Sequence, residues 1–158
     1  MLRRLCILIA FAAVITACAS SSVSREELEQ ARNRTINSPY ELVYSAAYST
    51  IRDQNFRISA GDEAAGRIEG HHEFTRDIER RGEYFIGYDP RAAVALYVEA
   101  TIVRVDENSS RIEISLIEEV PNRSGSSYQA QQMDHIRRPV REVDYYNTLF
   151  NEILSRLN

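Results

Sequence analysis

Between residues 92 and 116 apolar and polar positions alternate with a period of two. Val94, Leu96, Val98, Ala100 and Ile102 fall on one side, and Tyr97, Glu99 and Thr101 on the other. After a turn signal at Asp106 to Ser109, Ile112, Ile114 and Leu116 oppose Arg111, Glu113 and Ser115. Alternation of this kind predicts antiparallel strands with one buried and one wet face. Upstream, Phe56, Ile58 and Ala60 alternate with polar neighbours and Gly61-Asp62 begins a turn. Ile68, Gly70, His72 and Phe74 then alternate with Arg67, Glu69, His71 and Glu73, which predicts a hairpin. Two segments carry the helical period instead. Ser38-Pro39-Tyr40-Glu41 has a capping serine, a proline suited to the first helical position and a glutamate placed to return the capping bond. Leu42, Val43, Ala46, Ala47, Thr50 and Ile51 follow as one apolar face, with Tyr40, Tyr44 and Tyr48 as a stripe along its margin. Pro139 is expected to open the last helix, whose stripe is Val143, Tyr146, Leu149, Phe150, Ile153, Leu154 and Leu157. The predicted class is therefore α+β: an antiparallel sheet of about four strands with an N-terminal and a C-terminal helix on one face.

This order of helix, four strands and helix resembles the helix-grip domains of the lipoprotein C subunit of the bacterial β-barrel assembly machinery and of related small envelope lipoproteins. Ser38-Pro39-Tyr40, the stretch from Phe56-Arg57-Ile58-Ser59 into Gly66-Arg67-Ile68-Glu69-Gly70, and Leu149-Phe150 to Leu157 carry the resemblance. It spans residues 38–158 as a pattern of elements. That subunit has two such domains behind a long unstructured segment, whereas this chain has room for one. The resemblance implies a role in envelope assembly or scaffolding and supplies no catalytic residue.

The N-terminus points to the same compartment. Arg3-Arg4 precede an apolar run from Leu5 to Val14, and Ile15-Thr16-Ala17-Cys18 closes it before the Ser-rich Ala19-Ser20-Ser21-Ser22. The run falls short of the about 20 residues a membrane span requires. It resembles the lipobox of bacterial lipoprotein signal peptides, with an ordinary secretory signal as the lesser alternative. The resemblance implies cleavage before Cys18, acylation of that cysteine, and anchoring that two or three acyl chains make almost permanent. Ala19, rather than aspartate, after the cysteine implies the periplasmic side of the outer membrane, or the cytoplasmic membrane in a Gram-positive host. The expected organisation is a signal peptide at 1–17, a lipidated cysteine and tether at 18–37, and the α+β domain at 38–158. Within the tether, Ser24 with Glu27 resembles a capping box for a short, frayed polar helix through Arg32.

The charge of −4 becomes more acidic after such cleavage: Arg3 and Arg4 are lost with no acid, leaving 17 basic residues against 23 acidic ones, a net charge of −6. This speaks against nucleic acid as a partner. Every basic residue is arginine, so chemistry requiring a lysine amine is excluded. Cys6 and Cys18 both lie in or at the signal segment, which leaves the domain no thiol for a disulfide, a metal or a nucleophile. There is no phosphate-binding glycine loop, no Gly-x-Ser-x-Gly elbow and no His-Glu-x-x-His helix. His71-His72-Glu73 is the one cluster that invites a metal or acid–base reading, but adjacent strand residues face opposite ways. His72 reads as a hydrogen-bonded core imidazole and His71 as part of a solvated face. No catalytic residue, metal or cofactor is expected, and the chain is not expected to be an enzyme.

Two segments interrupt the pattern. Residues 121–138, with Ser124-Gly125-Ser126-Ser127, read as a mobile lip and leave His135 in a polar loop. Residues 75–91 gather Tyr84, Phe85, Ile86 and Tyr88 among Arg76, Arg80, Arg81 and Arg91, the composition of an interface hot spot or, equally, of a strand extension that buries half its rings. The main expectation is thus a non-enzymatic, lipid-anchored interaction or scaffold domain that docks another envelope protein through those residues. The alternative is a carrier of a small apolar or lipid-like ligand in a groove edged by Tyr40, Tyr44 and Tyr48. A carrier requires an apolar cavity of at least ~300 Å³.

Replacing Cys18 by serine is expected to release the folded domain from membranes or leave it uncleaved, as read by fractionation and mass of the product. Correctly cleaved Cys18→Ser protein that stays in the membrane fraction would refute the lipobox.

Overall fold

The computed structural model describes residues 23–77, 91–122 and 134–158. In chain order these form α1 (Arg25–Arg32), β1 (Asn33–Ile36), α2 (Tyr40–Asp53), β2 (Arg57–Asp62), β3 (Arg67–Asp77), β4 (Arg91–Arg104), β5 (Ser110–Asn122), β6 (Asp134–Pro139) and α3 (Val143–Ser155). All strand pairs are antiparallel and make one six-stranded sheet in the order β1-β5-β4-β3-β2, with β6 also on β5. The class is α+β.

Alternation along β3, β4 and β5 assigns the faces. Ile68, Val98, Ala100, Ile102, Ile112, Ile114 and Leu116 are buried and share one core with Val43, Ala46, Ala47 and Ile51 of α2 and Tyr146, Leu149, Phe150 and Ile153 of α3. Arg111 and Glu113 point to water. Both helices therefore cover the same sheet face. Gly66 fixes the β2–β3 turn: its φ is +69°, its carbonyl accepts from Ile102 N at 2.7 Å, and a Cβ there would stand 2.1 Å from the Ile102 carbonyl oxygen. Helix α2 ends in a Schellman arrangement, with Asn55 at φ 64°, Asn55 N donating to Arg52 O and Phe56 N to Ile51 O.

Several expectations need correction. Six strands replace about four. β1 has only four residues, too few to show a period, and β6 carries arginines and a proline, the marks of an edge strand that sequence reading takes for loop. His135 thus lies on a strand, and the 121–138 segment has strands at both ends; residues 123–133 lie outside the described residues. Residues 25–36 of the expected 18–37 tether are part of the fold. Ser24 does cap α1, accepting from Glu27 N at 3.1 Å, but Ala31 and Ile36 are buried in the core, so α1 and β1 belong to the domain. Ser38 does not cap α2 through its side chain; its carbonyl accepts from Ser110 Oγ at 3.2 Å, and Glu41 reaches Arg104 instead. Leu42 is 56% exposed, because the helical turn places it about 100° from Val43 and off the buried face. A bulge between Ile58 and Ala60 turns Ala60 outward. Pro139 ends β6 rather than opening α3, which starts at Val143, and Leu154 is 39% exposed.

The outer edge of β5 is shared by two strands that do not meet. β1 pairs with Ser110 to Glu113 and β6 with Ile117 to Asn122. In the interval, Ile114 O accepts from Arg32 Nε at 3.3 Å and Leu116 O from Val140 N at 3.0 Å. The Tyr146 hydroxyl, buried at 1% exposure, donates to Val140 O at 2.9 Å. Burial raises its phenol above the usual range.

Ile114→Ala is expected to lose about 2–5 kcal/mol by leaving a cavity in the fully buried face. Glu113→Ala, which removes only a half-exposed carboxylate 3.6 Å from Arg32, is expected to lose less than about 1 kcal/mol. Denaturant titrations compare the two, and equal losses would contradict the assigned face.

Candidate functional site

Helix α2 runs over the sheet from the β2–β3 turn, where the Tyr40 hydroxyl donates to Glu63 O, to the level of His72, whose Nδ1 lies 3.0 Å from Asn55 O. Its 14 residues span roughly 21 Å. The 11 residues of β3 span roughly 36 Å, so β3 continues past the end of the helix. β2 also stops at His71 in the pairing with β3. The apolar face of β3 and β4 beyond that level meets the first turns of α3, and a cleft opens there.

The cleft has a volume of about 370 Å³ and is walled by Phe56, His72, Phe74, Leu96, Leu116 and Leu149, with Gln54, Tyr145 and Thr148 at its margin. Phe56, His72 and Phe74 form a ring ladder, with centroids 6.0 and 5.6 Å apart and the second pair nearly parallel at 19°. Because a carbonyl oxygen only accepts, the contact with Asn55 O puts a proton on His72 Nδ1. In the uncharged imidazole Nε2 is then an acceptor. Tyr145 is 51% exposed, the only tyrosine among the large exposed apolar side chains of the described residues.

The tyrosines read as the margin of the helix face, and in the carrier alternative as the edge of a groove, lie at the margin of the core. Tyr40, Tyr44 and Tyr48 stack with centroids 6.4 Å apart and lean on the β2–β3 hairpin, where a Cβ at Gly61 would come within 3.0 Å of Tyr48. Burial, with Glu63 and Asp62 nearby, pushes the Tyr40 and Tyr44 phenols up. They close the margin of the core and do not line the cleft. The proposed docking residues Arg80, Arg81, Tyr84, Phe85, Ile86 and Tyr88, and the anchor Cys18, lie outside the described residues. His71 and His72 face opposite sides: His71 sits by Tyr97 at 6.3 Å on the open face, while His72 lines the cleft.

The open face is a lattice of ion pairs. Arg67 meets Glu69 at 2.6 Å and Glu99 at 3.0 Å, and Glu119 meets Arg137 at 2.6 Å and His135 at 3.3 Å. The Arg137 hydrogen bond holds the Glu119 carboxyl below the usual range, and the guanidinium lies 4.9 Å from the Tyr97 ring centroid. These charges answer one another. No three of His, Cys, Asp and Glu among the described residues are placed to hold a metal ion, and no described helix is long and apolar enough to cross a membrane.

Sequence reasoning missed the cleft residues on α3. Tyr145 and Thr148 stand three residues apart and flank Leu149 of the main stripe, and that spacing was the available signal.

The chain matches no protein-family model and no curated protein. Among solved structures it is similar to a DUF4468 family protein from Bacteroides ovatus, at 12% identity and a TM-score of 0.45, covering 78% of this chain and 83% of that one. It is also similar to a TBP-like protein from Parabacteroides distasonis, at 7% identity and a TM-score of 0.41, covering 78% and 89%. Likeness at this level carries no statement about what this chain does.

Tyr145→Ala is expected to change stability by no more than about 0.5 kcal/mol, since the ring stands half in water. Phe56→Ala is expected to lose about 3–5 kcal/mol, because that ring is 7% exposed and closes the α2 cap. Thermal or denaturant unfolding of the two variants checks the contrast; a large loss at Tyr145 would make it a core residue and not a cleft residue.

Proposed function

We propose that this chain is a lipid-anchored envelope protein that binds a small apolar ligand, without catalysing a reaction, in the cleft between α3 and the sheet. One observation carries the reading: an apolar cleft of about 370 Å³ exceeds the ~300 Å³ at which pockets begin to hold small ligands. The groove of the carrier hypothesis thereby moves from Tyr40, Tyr44 and Tyr48 to Phe56, His72, Phe74 and Leu96. Placement at the membrane, on the periplasmic side of the outer membrane, is supported by the Arg3-Arg4 to Cys18 pattern and the Ala19 that follows it.

A second reading keeps the interaction or scaffold role, with the helix-grip resemblance in its favour. It is favoured by the aromatic residues set beside arginines at 80–88, a composition suited to docking another envelope protein. The two readings differ in what fills the cleft.

A neutral apolar dye is expected to bind the folded chain at one saturable site and to be excluded by Leu96→Trp, which fills the cleft from its β4 wall. The chain has no native tryptophan, so the introduced indole also reports by its own emission whether it is buried. Absence of a saturable site in the native chain, or undiminished binding by a folded Leu96→Trp variant, would overturn the ligand reading and leave docking through residues 75–91.

A further inference from the structure

The polar atoms around the cleft restrict what it holds. Thr148 Oγ1 spends its hydrogen on Asp144 O at 2.8 Å, so its oxygen is left as an acceptor. Gln54 Nε2 donates to Glu152 Oε1 at 2.6 Å, and its Oε1 is left as an acceptor. The contact with Asn55 O puts a proton on His72 Nδ1, and in the uncharged ring Nε2 is an acceptor. The remaining donors are the second Gln54 amide hydrogen and the Tyr145 hydroxyl, the latter on a half-exposed ring. Among the described residues no arginine lines the cleft. Of the acids beside these residues, Glu152 holds Gln54, and Glu118 stands opposite Leu96 in the sheet register. Glu118 is itself paired with Arg138 at 2.6 Å.

Resting on the ligand reading above, we infer that the cleft selects an uncharged ligand with an apolar, ring-stacking body and a hydrogen-bond-donating hydroxyl, and rejects the corresponding carboxylate. A carboxylate would bring more acceptors to a rim on which His72, Thr148 and Gln54 already present acceptors, and would leave water for a lining that offers it no arginine among the described residues. A hydroxyl supplies a donor to these acceptors, and Phe56 and Phe74 flank the His72 ring with faces suited to an aromatic body.

The test compares 4-pentylphenol, 4-pentylanisole and 4-pentylbenzoate, titrated near neutral pH against the full chain carrying Cys18→Ser, which keeps its own acyl chains out of the cleft. Calorimetry and NMR shifts of the cleft residues are the readouts. The phenol is expected to bind about tenfold more tightly than either competitor, the difference one good hydrogen bond makes. His72→Phe preserves the ring ladder and removes the acceptor, so phenol and anisole should then bind alike. Thr148→Val offers the same comparison at an exposed helix position should His72→Phe fail to fold. Tightest binding by the benzoate, or equal binding of phenol and anisole by the native chain, would overturn the inference. If none of the three binds while the apolar dye does, the hydroxyl selectivity is wrong and the cleft stands; if the dye fails too, the ligand reading itself falls.

Discussion

Unequal reach of helix and strand governs this molecule. A helical residue advances about 1.5 Å and a strand residue about 3.3 Å, so α2, with as many residues as β4, covers less than half its length. A two-layer domain built this way needs a second cover for the remaining apolar sheet. Here α3 takes part of that role, with Tyr146, Leu149, Phe150 and Ile153 buried on the same face that α2 occupies. The cleft marks where the two covers part. It is bounded by the point at which Asn55 turns the chain out of α2 and by the first turns of α3, and its walls are buried and half-buried side chains of the sheet face and helices.

The divided edge of β5 holds the chain ends to this frame. An unsatisfied carbonyl in the buried gap between β1 and β6 would cost about 1–3 kcal/mol. Arg32 and Val140 prevent that at Ile114 and Leu116, and the Tyr146 hydroxyl ties Val140 to α3. Arg32 is suited to the position because its guanidinium also reaches Glu29 at 3.7 Å and Glu113 at 3.6 Å while its stem lies against the fold. Both ends of the described domain are thereby coupled to one strand, at Ile114 and at Leu116.

How much of this could be read from the sequence depended on the distance over which each feature is determined. The faces of β3, β4 and β5 were legible because alternation is a local property: Ile112, Ile114 and Leu116 are buried for the same reason that Arg111 and Glu113 are not. The main stripe of α3 was legible through its 3.6-residue period. β1 was not, since four residues give no period, and β6 was hidden by His135, Arg137 and Arg138, which are tolerated because they pair with Glu118 and Glu119 across the edge. The tyrosine stripe was recognisable as the margin of a helix, yet what it borders depends on the height of the β2–β3 turn. The cleft was the least legible feature, since it follows from where one element stops relative to two others.

The early start of the fold changes the geometry of attachment. With α1 beginning at Arg25 and packed through Ala31, only seven residue steps separate Cys18 from the folded body. Even fully extended they reach roughly 25 Å, against roughly 70 Å for a linker running to Ser38. A protein held that close, if Cys18 carries its acyl chains as proposed, works within a few headgroup diameters of the bilayer. A ligand held in the cleft, as proposed, would then exchange with the lipid surface itself, and a larger assembly would have to approach along the membrane plane.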